Sequence, residues 1–295
     1  MKRVLLLGSN GMAGHLLLNF LREQNRYKIY STSRTEFKSI KNNVYLDVFD
    51  LEKLADLIKE IQPDYIINCV GLLFKDFNEN CDKAIFVNAY FPHFLDKLSK
   101  KYSYKLIHIS TDCVFDGKKG GYIESDLPNE TNIYGRSKAL GEVINTQNLT
   151  IRTSFIGPEI TPNGIGLFHW FMSQNGTISG YTQAIWSGVT TLELAKFINY
   201  LLCENINLVG LYHLCNNDKI SKEKLLLLFL NYFNRNDIKV EPDKRITCDR
   251  SFFNTNNDVQ YRVPSYTLMI QEMKSWMLKY KDDLYFNYKL NINLN

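Results

Sequence analysis

The chain has 295 residues, enough for one large domain plus a smaller one. Hydrophobic residues make up 45% of it and charged residues 22%, a globular balance that excludes a disordered or fibrous chain. A net charge of +4 suits small anionic ligands, and no Arg/Lys stripe interleaved with aromatic residues argues for nucleic acid. The six cysteines are scattered without a CxxC pair, and the five histidines never reach HExxH spacing. Reduced thiols and no zinc site are therefore expected. The first apolar run holds four residues before Gly8, too short for a signal-peptide core, and no later run approaches a membrane-spanning length. The expectation is a soluble, cytoplasmic protein with no metal, no membrane contact and no nucleic-acid partner.

In chain order, residues 4–7 are short, apolar and followed by glycine, which predicts a strand; residues 12–24 carry apolar side chains at helical spacing. Strands are predicted at 29–32 and 44–46. Asp50 is placed to cap a helix reaching about residue 61, which Pro63 ends. Buried strands at 65–70 and 106–110 flank a helix near 82–101, followed by a helix at 133–145 and a strand at 149–153. Such alternation predicts an α/β fold, a doubly wound parallel sheet of Rossmann type. After Gly157 the rhythm changes: Gly, Asn, Thr and aromatic residues crowd 157–190. Helices at 191–203, 222–231 and 266–279 and a strand at 208–214 follow. The dinucleotide-binding domain is expected over 1–155, with 187–214 returning to it. A smaller C-terminal substrate-binding part is expected from 156–186 and 215–295.

Residues 8–14, GSNGMAG, place Gly8, Gly11 and Gly14 between the first strand and the first helix. Small residues there let the turn close and let backbone approach a pyrophosphate at the helix start. A glycine triplet alone is weak; its place at the head of a strand–helix series gives it weight. The loop residues Asn10 and Met12 join the triplet as candidate cofactor contacts. The second strand ends in Ser31-Thr32-Ser33-Arg34. Hydroxyls and a guanidinium there, chiefly Ser33 and Arg34, favour NADP(H), with NAD(H) the alternative because Glu36 competes two residues later. Asp47, followed by Val48, follows the third strand and could bond adenine or cap the next helix. Cys69, Val70 and Gly71 end a buried strand where open α/β sheets bind ligands. Asn88 is either a cofactor contact or a side chain bonding backbone across strands.

HISTDCVFDG at 108–117 ends another strand with Thr111 and Asp112. As a structural device Thr111 caps backbone; as a functional one it donates a hydrogen bond to a substrate oxygen. In YGRSK, Tyr134 and Lys138 are four apart and share a helical face. A phenol titrates near pH ~10 when free. A nearby ammonium favours the phenolate and moves the group toward a useful acid/base range. The spacing by itself is weak, since a chain this rich in Tyr and Lys contains such a match by chance.

GSNGMAG, ISTDCVFDG, YGRSK and LTIRTSFIG together resemble the extended short-chain dehydrogenase/reductase superfamily, and within it the dTDP-4-dehydrorhamnose reductase group. The resemblance runs from Lys2 through about Gly157 and continues more weakly through GYTQAIWSGVTTLELAKFI and VPSYTLMIQEMKSW. It implies catalytic positions at Thr111, Tyr134 and Lys138, with Lys138 also on the nicotinamide ribose, and cofactor contacts at Gly8, Gly11, Gly14 and 68–71. Substrate contacts are expected from Asp112, Val114, Phe115, Phe155, Gln183 and Trp186. Where the family often has a tyrosine and a tryptophan, this chain has Cys113 and Phe155. The implied activity is NADPH-dependent reduction of a nucleotide-linked 4-keto-6-deoxy sugar, used for cell-surface polysaccharide, by an enzyme whose expected partners are the nucleotide sugar and a second copy in a homodimer. Two alternatives stay open: an epimerase retaining its NAD(P), and a non-catalytic NADP-binding regulatory subunit resembling that of methionine adenosyltransferase.

Overall fold

The computed structural model describes residues 1–34, 42–73, 81–288 and 290. Its N-terminal part runs β1 (Lys2–Leu7), α1 (Met12–Glu23), β2 (Tyr27–Ser33), β3 (Asn43–Tyr45), α2 (Leu51–Ile61), β4 (Tyr65–Asn68) and α3 (Cys81–Ala84). A π-helical segment, Ile85–Tyr90, leads into α4 (Phe91–Tyr102), then β5 (Lys105–Thr111), a 3-10 turn at Asp112–Val114, α5 (Ile133–Leu140) and β6 (Leu149–Thr153). The remainder is β7 (Phe155–Ile156), α6 (Leu167–Ser173), β8 (Gly176–Trp186), β9 (Val189–Thr190), α7 (Thr191–Cys203) and β10 (Gly210–Leu214). It closes with β11 (Ile220–Ser221), α8 (Lys222–Tyr232), β12 (Ile238–Asp249) and α9 (Tyr266–Lys279).

Seven strands form one sheet in the order β10-β6-β5-β4-β1-β2-β3, and every pairing in it is parallel. The period of two along β1 explains why both faces are covered. Val4 and Leu6 join Leu16 and Leu17 of α1 and Phe197 and Ile198 of α7, whereas Leu5 and Leu7 join Leu54 and Ile58 of α2 and Phe91 and Leu95 of α4. This is the doubly wound Rossmann architecture. Chain order reverses between β1 and β4, and the carboxyl ends of those strands are where such sheets open a crevice. A second sheet, β11-β8-β12, stands apart from the first.

Asp50 caps α2 as expected, its carboxylate accepting the Lys53 N–H at 3.0 Å. Three sequence expectations differ from the structure. The strand predicted through residue 70 stops at Asn68, whose own Oδ1 takes the Val70 N–H and turns the chain out of the ladder. The helix predicted to residue 145 ends at Leu140, which frees Glu142 to form a buried ion pair with Arg152 at 2.7 Å. The 11-residue β8 and 12-residue β12 were not anticipated. Two glycines weaken the strand signal in β8, Pro, Asp, Lys and Glu weaken it in β12, and much of β12 faces water, so neither shows a continuous apolar run.

Candidate functional site

A cleft of about 390 Å³ opens at the carboxyl ends of β1 to β4. Gly8, Asn10, Gly11 and Met12 form its floor, Ser33, Arg34, Asp47 and Val48 one side, and Cys69, Val70 and Gly71 another. The glycine loop is shaped by backbone: the Gly11 N–H bonds the Gly8 carbonyl at 3.1 Å. Gly14 does not line the cleft. Its role is packing, because a Cβ there would lie 2.1 Å from the Gly8 oxygen and 2.9 Å from the Gly8 carbonyl carbon. Neither atom can move without opening the turn. Gly14→Ala is therefore expected to cost about 1–3 kcal/mol and to loosen the loop, which urea unfolding would measure; an unchanged midpoint would contradict that contact.

Gly11, the N-cap of α1, supplies no capping side chain. The first N–H groups of α1 thus stay available to an anion at the loop. Exposed Arg34, buried Ser33 and the partly exposed loop backbone give the cleft a cationic, donor-rich rim that fits a dinucleotide phosphate. Asp47 spends one carboxylate oxygen on the Phe49 N–H, at 3.1 Å, while lining the same cleft. Glu36, the competitor to Arg34, lies outside the described residues.

Thr111 ends β5, two strands from β1, and Tyr134 and Lys138 stand on α5. The position after Tyr134 explains how they meet. A Cβ at Gly135 would lie 2.3 Å from the Cys113 carbonyl oxygen, so only glycine lets α5 press against the turn that follows Thr111. The Tyr134 phenol comes close enough to the Thr111 hydroxyl for Thr111 to act on its pKa. Thr111 in turn donates to Asp112 at 3.1 Å and accepts the Cys113 N–H at 3.1 Å. Burial holds the Tyr134 pKa above its ordinary value, and the Thr111 contact opposes that only in part. The downward pull expected of Lys138 is not among the influences on the phenol, which keeps its proton at neutral pH. Lys138 is buried, donates to the Ile109 carbonyl at 2.8 Å and is itself lowered to about 8 by burial, with Glu142 and Cys69 opposing. Cys69, across from it, is raised to about 12. The cleft and the Thr111–Tyr134 pair are therefore joined through Cys69 and Lys138.

Several expected contacts are corrected. Asn88 gives its amide to the Leu72 backbone, donating at 3.0 Å and accepting at 2.9 Å, and donates to Ser137 at 3.1 Å. It ties the π-helical segment to the chain after β4 and to α5, and both of its N–H donors are spent there. Val114 and Phe115 are fully buried, and Phe115 stacks on Tyr122 with centroids 4.0 Å apart, so neither offers surface to a substrate. Trp186 is buried against Tyr266 and gives its indole N–H to Ser154 at 2.8 Å. Phe155 is half-buried against the core, and exposed Gln183 accepts from Thr247 across β8 and β12 at 2.6 Å. Asp112 is largely buried beside Thr111.

Two contributions escaped sequence reasoning. Arg250, just past β12, donates to the Phe115 carbonyl at 2.8 Å and to Glu130 at 2.6 Å, and so pins the Thr111 turn from the distal sheet. Glu159 and Thr161 line the glycine-loop cleft from the segment after β7. No local motif marks either; only the tertiary fold brings them there. Among the described residues no group of His, Cys, Asp and Glu could hold a metal, and no helix is long and apolar enough to cross a membrane.

Residues 1–249 match the model of the RmlD substrate binding domain. A probable low-salt glycan biosynthesis reductase, Agl14, of Haloferax volcanii is 34% identical over 157 residues, covering 50% of this chain and 52% of that protein. A dTDP-4-dehydrorhamnose reductase of Aggregatibacter actinomycetemcomitans is 29% identical over 161 residues, covering 52% of each. The matches thus span about half the length of these curated relatives. Among solved structures, a dTDP-4-dehydrorhamnose reductase of Bacillus anthracis in complex with NADP superposes with a TM-score of 0.76 at 26% identity, over 92% of this chain and 99% of that one.

Proposed function

The chain belongs to the RmlD substrate-binding-domain family of extended short-chain dehydrogenases/reductases, and from that premise we propose that it is a nicotinamide-dependent reductase of a nucleotide-linked keto sugar. The observation that carries this reading is the approach of the Tyr134 phenol to Thr111, with Lys138 on the same helix acting on Cys69 of the glycine-loop cleft. A reduced nicotinamide, when bound, supplies the hydride. The residues of the chain supply the rest. The free N–H groups of α1 and the Arg34 guanidinium hold the dinucleotide phosphates, and Arg34 with Ser33 favours a 2′-phosphate, hence NADP(H) over NAD(H). Lys138, cationic over most of the neutral range, orients the ribose hydroxyls from its anchor on Ile109. Tyr134, protonated by burial, gives its proton to the developing alkoxide as a general acid. Thr111 donates to the same oxygen once a substrate replaces its present contacts.

A 4-keto-6-deoxy hexose carried on a nucleoside diphosphate is the substrate class proposed. NADPH consumption against a panel of such sugars tests it, and one equivalent of NADPH lost per sugar reduced is expected. Product formed without net NADPH loss would instead indicate epimerisation. Among the relatives is methionine adenosyltransferase 2 subunit beta of Bos taurus, 30% identical over 145 residues. Absence of turnover with every sugar, together with tight binding to a second protein, would point to a regulatory role of that kind.

A further inference from the structure

The C-terminal segment closes back on the glycine loop. Tyr285 is fully buried, and its hydroxyl lies 3.1 Å from His15 Nε2; His15 Nδ1 lies 3.0 Å from the Gly11 carbonyl oxygen. A carbonyl can only accept, so Nδ1 carries the proton and Nε2 accepts from Tyr285. The result is a one-way relay from Tyr285 through His15 to Gly11. Across a planar trans peptide the Gly11 C=O and the Met12 N–H point in opposite directions. Fixing the carbonyl therefore fixes the N–H that α1 turns toward the cleft.

The same segment reaches the opposite wall. Tyr288 accepts the Glu159 N–H at 2.9 Å and meets His169 Nδ1 at 2.7 Å, and Glu159 lines the cleft. At the far end of α1, Lys279 and Tyr280 both bond Glu23. All of these C-terminal residues lie beyond residue 249, where the family match ends.

We propose that Tyr285, His15 and Tyr288 are positioning residues that set dinucleotide affinity: the C-terminal segment braces the glycine loop through His15 and the facing wall through Glu159. The proposal rests on reading the cleft as the dinucleotide site. It is tested by titrating the full chain with NADPH, following ligand fluorescence, in wild type, Tyr285→Phe, Tyr288→Phe and Tyr104→Phe. Tyr104 is the control: its buried hydroxyl donates to the Leu95 carbonyl at 2.6 Å, away from the cleft. Removing the Tyr285 donor strands His15 Nε2 and should weaken NADPH binding by about tenfold. KM for NADPH should rise with it, while kcat at saturating NADPH falls far less. Tyr288→Phe should act in the same direction and carries the test if Tyr285→Phe does not fold. Tyr104→Phe should lower the thermal midpoint yet leave the dissociation constant unmoved. Unchanged affinity in Tyr285→Phe and Tyr288→Phe, or an equal loss in Tyr104→Phe, would overturn the brace alone. Wild-type chain that binds neither NADPH nor NADH would overturn the cofactor reading as well.

Discussion

Tyr134→Phe is expected to cut turnover by about 10²–10⁴-fold, the usual worth of a positioned general acid, while NADPH affinity stays close to wild type. The reason for the split is spatial. The phenol hydroxyl faces Thr111 at the end of β5, not the glycine loop, and the phenyl ring that Phe retains preserves the packing of α5. Lys138→Met should differ, because Lys138 stands between the two regions: its Nζ is bonded to the Ile109 carbonyl and faces Cys69 on the cleft wall. Its loss should impair both binding and turnover. Initial rates at saturating NADPH, paired with a direct binding titration, decide the matter. Full activity in Tyr134→Phe would remove the proposed proton donor and with it the mechanism.

Local pattern carried the sheet well, because β1, β4 and β5 have buried centres on both faces and so write themselves as short apolar runs before glycine or polar edges. The cleft and the proposed acid pair could be placed for a related reason: their elements follow strands in order, so Gly8, Arg34, Gly71 and Thr111 fall at the carboxyl ends of β1, β2, β4 and β5. Spacing alone would have been a poor guide. Tyr285 and Lys289 are also four residues apart in the sequence, yet Tyr285 is a fully buried partner of His15. What stayed illegible depends on contacts between distant segments. Arg250 reaches the Phe115 carbonyl, in the turn after Thr111, from 135 positions on, and nothing in its own neighbourhood signals that. Val114 and Phe115 illustrate the reverse error, since proximity in sequence to a reactive residue says nothing about which way the next side chain points. Here they point into a cluster with Tyr122, Cys215 and Phe252.

The second large effect is loss of stability in mild acid. Three histidines are buried in forms that exclude a second proton. His15 donates from Nδ1 and must accept at Nε2, and burial lowers its pKa to about 4. His213 gives Nδ1–H to the Phe253 carbonyl at 3.0 Å and sets Nε2 3.4 Å from Arg152; burial, with that guanidinium adding to it, lowers it to about 4. His108 accepts the Asn68 amide at Nδ1, 3.1 Å away, and burial with nearby Lys138 holds it well below its ordinary range. Unfolded, each histidine titrates near pH ~6.5. Between about pH 6.5 and 4 the unfolded chain thus binds protons that the folded chain refuses, so stability falls as pH falls and is recovered above 6.5. His15 accounts for about 3 kcal/mol at the lower end, taking 1.36 kcal/mol per pKa unit, and His213 and His108 act in the same direction. That is already a large fraction of the stability of a typical domain, about 5–15 kcal/mol. Urea unfolding at pH 7.5, 6 and 5 should show the midpoint dropping steeply, and His15→Gln should flatten the slope by about one proton even as it lowers stability at neutral pH. A midpoint constant across that range would mean that the histidines accept protons in the folded chain, and that the Tyr285–His15–Gly11 relay is not held in the neutral form its geometry requires.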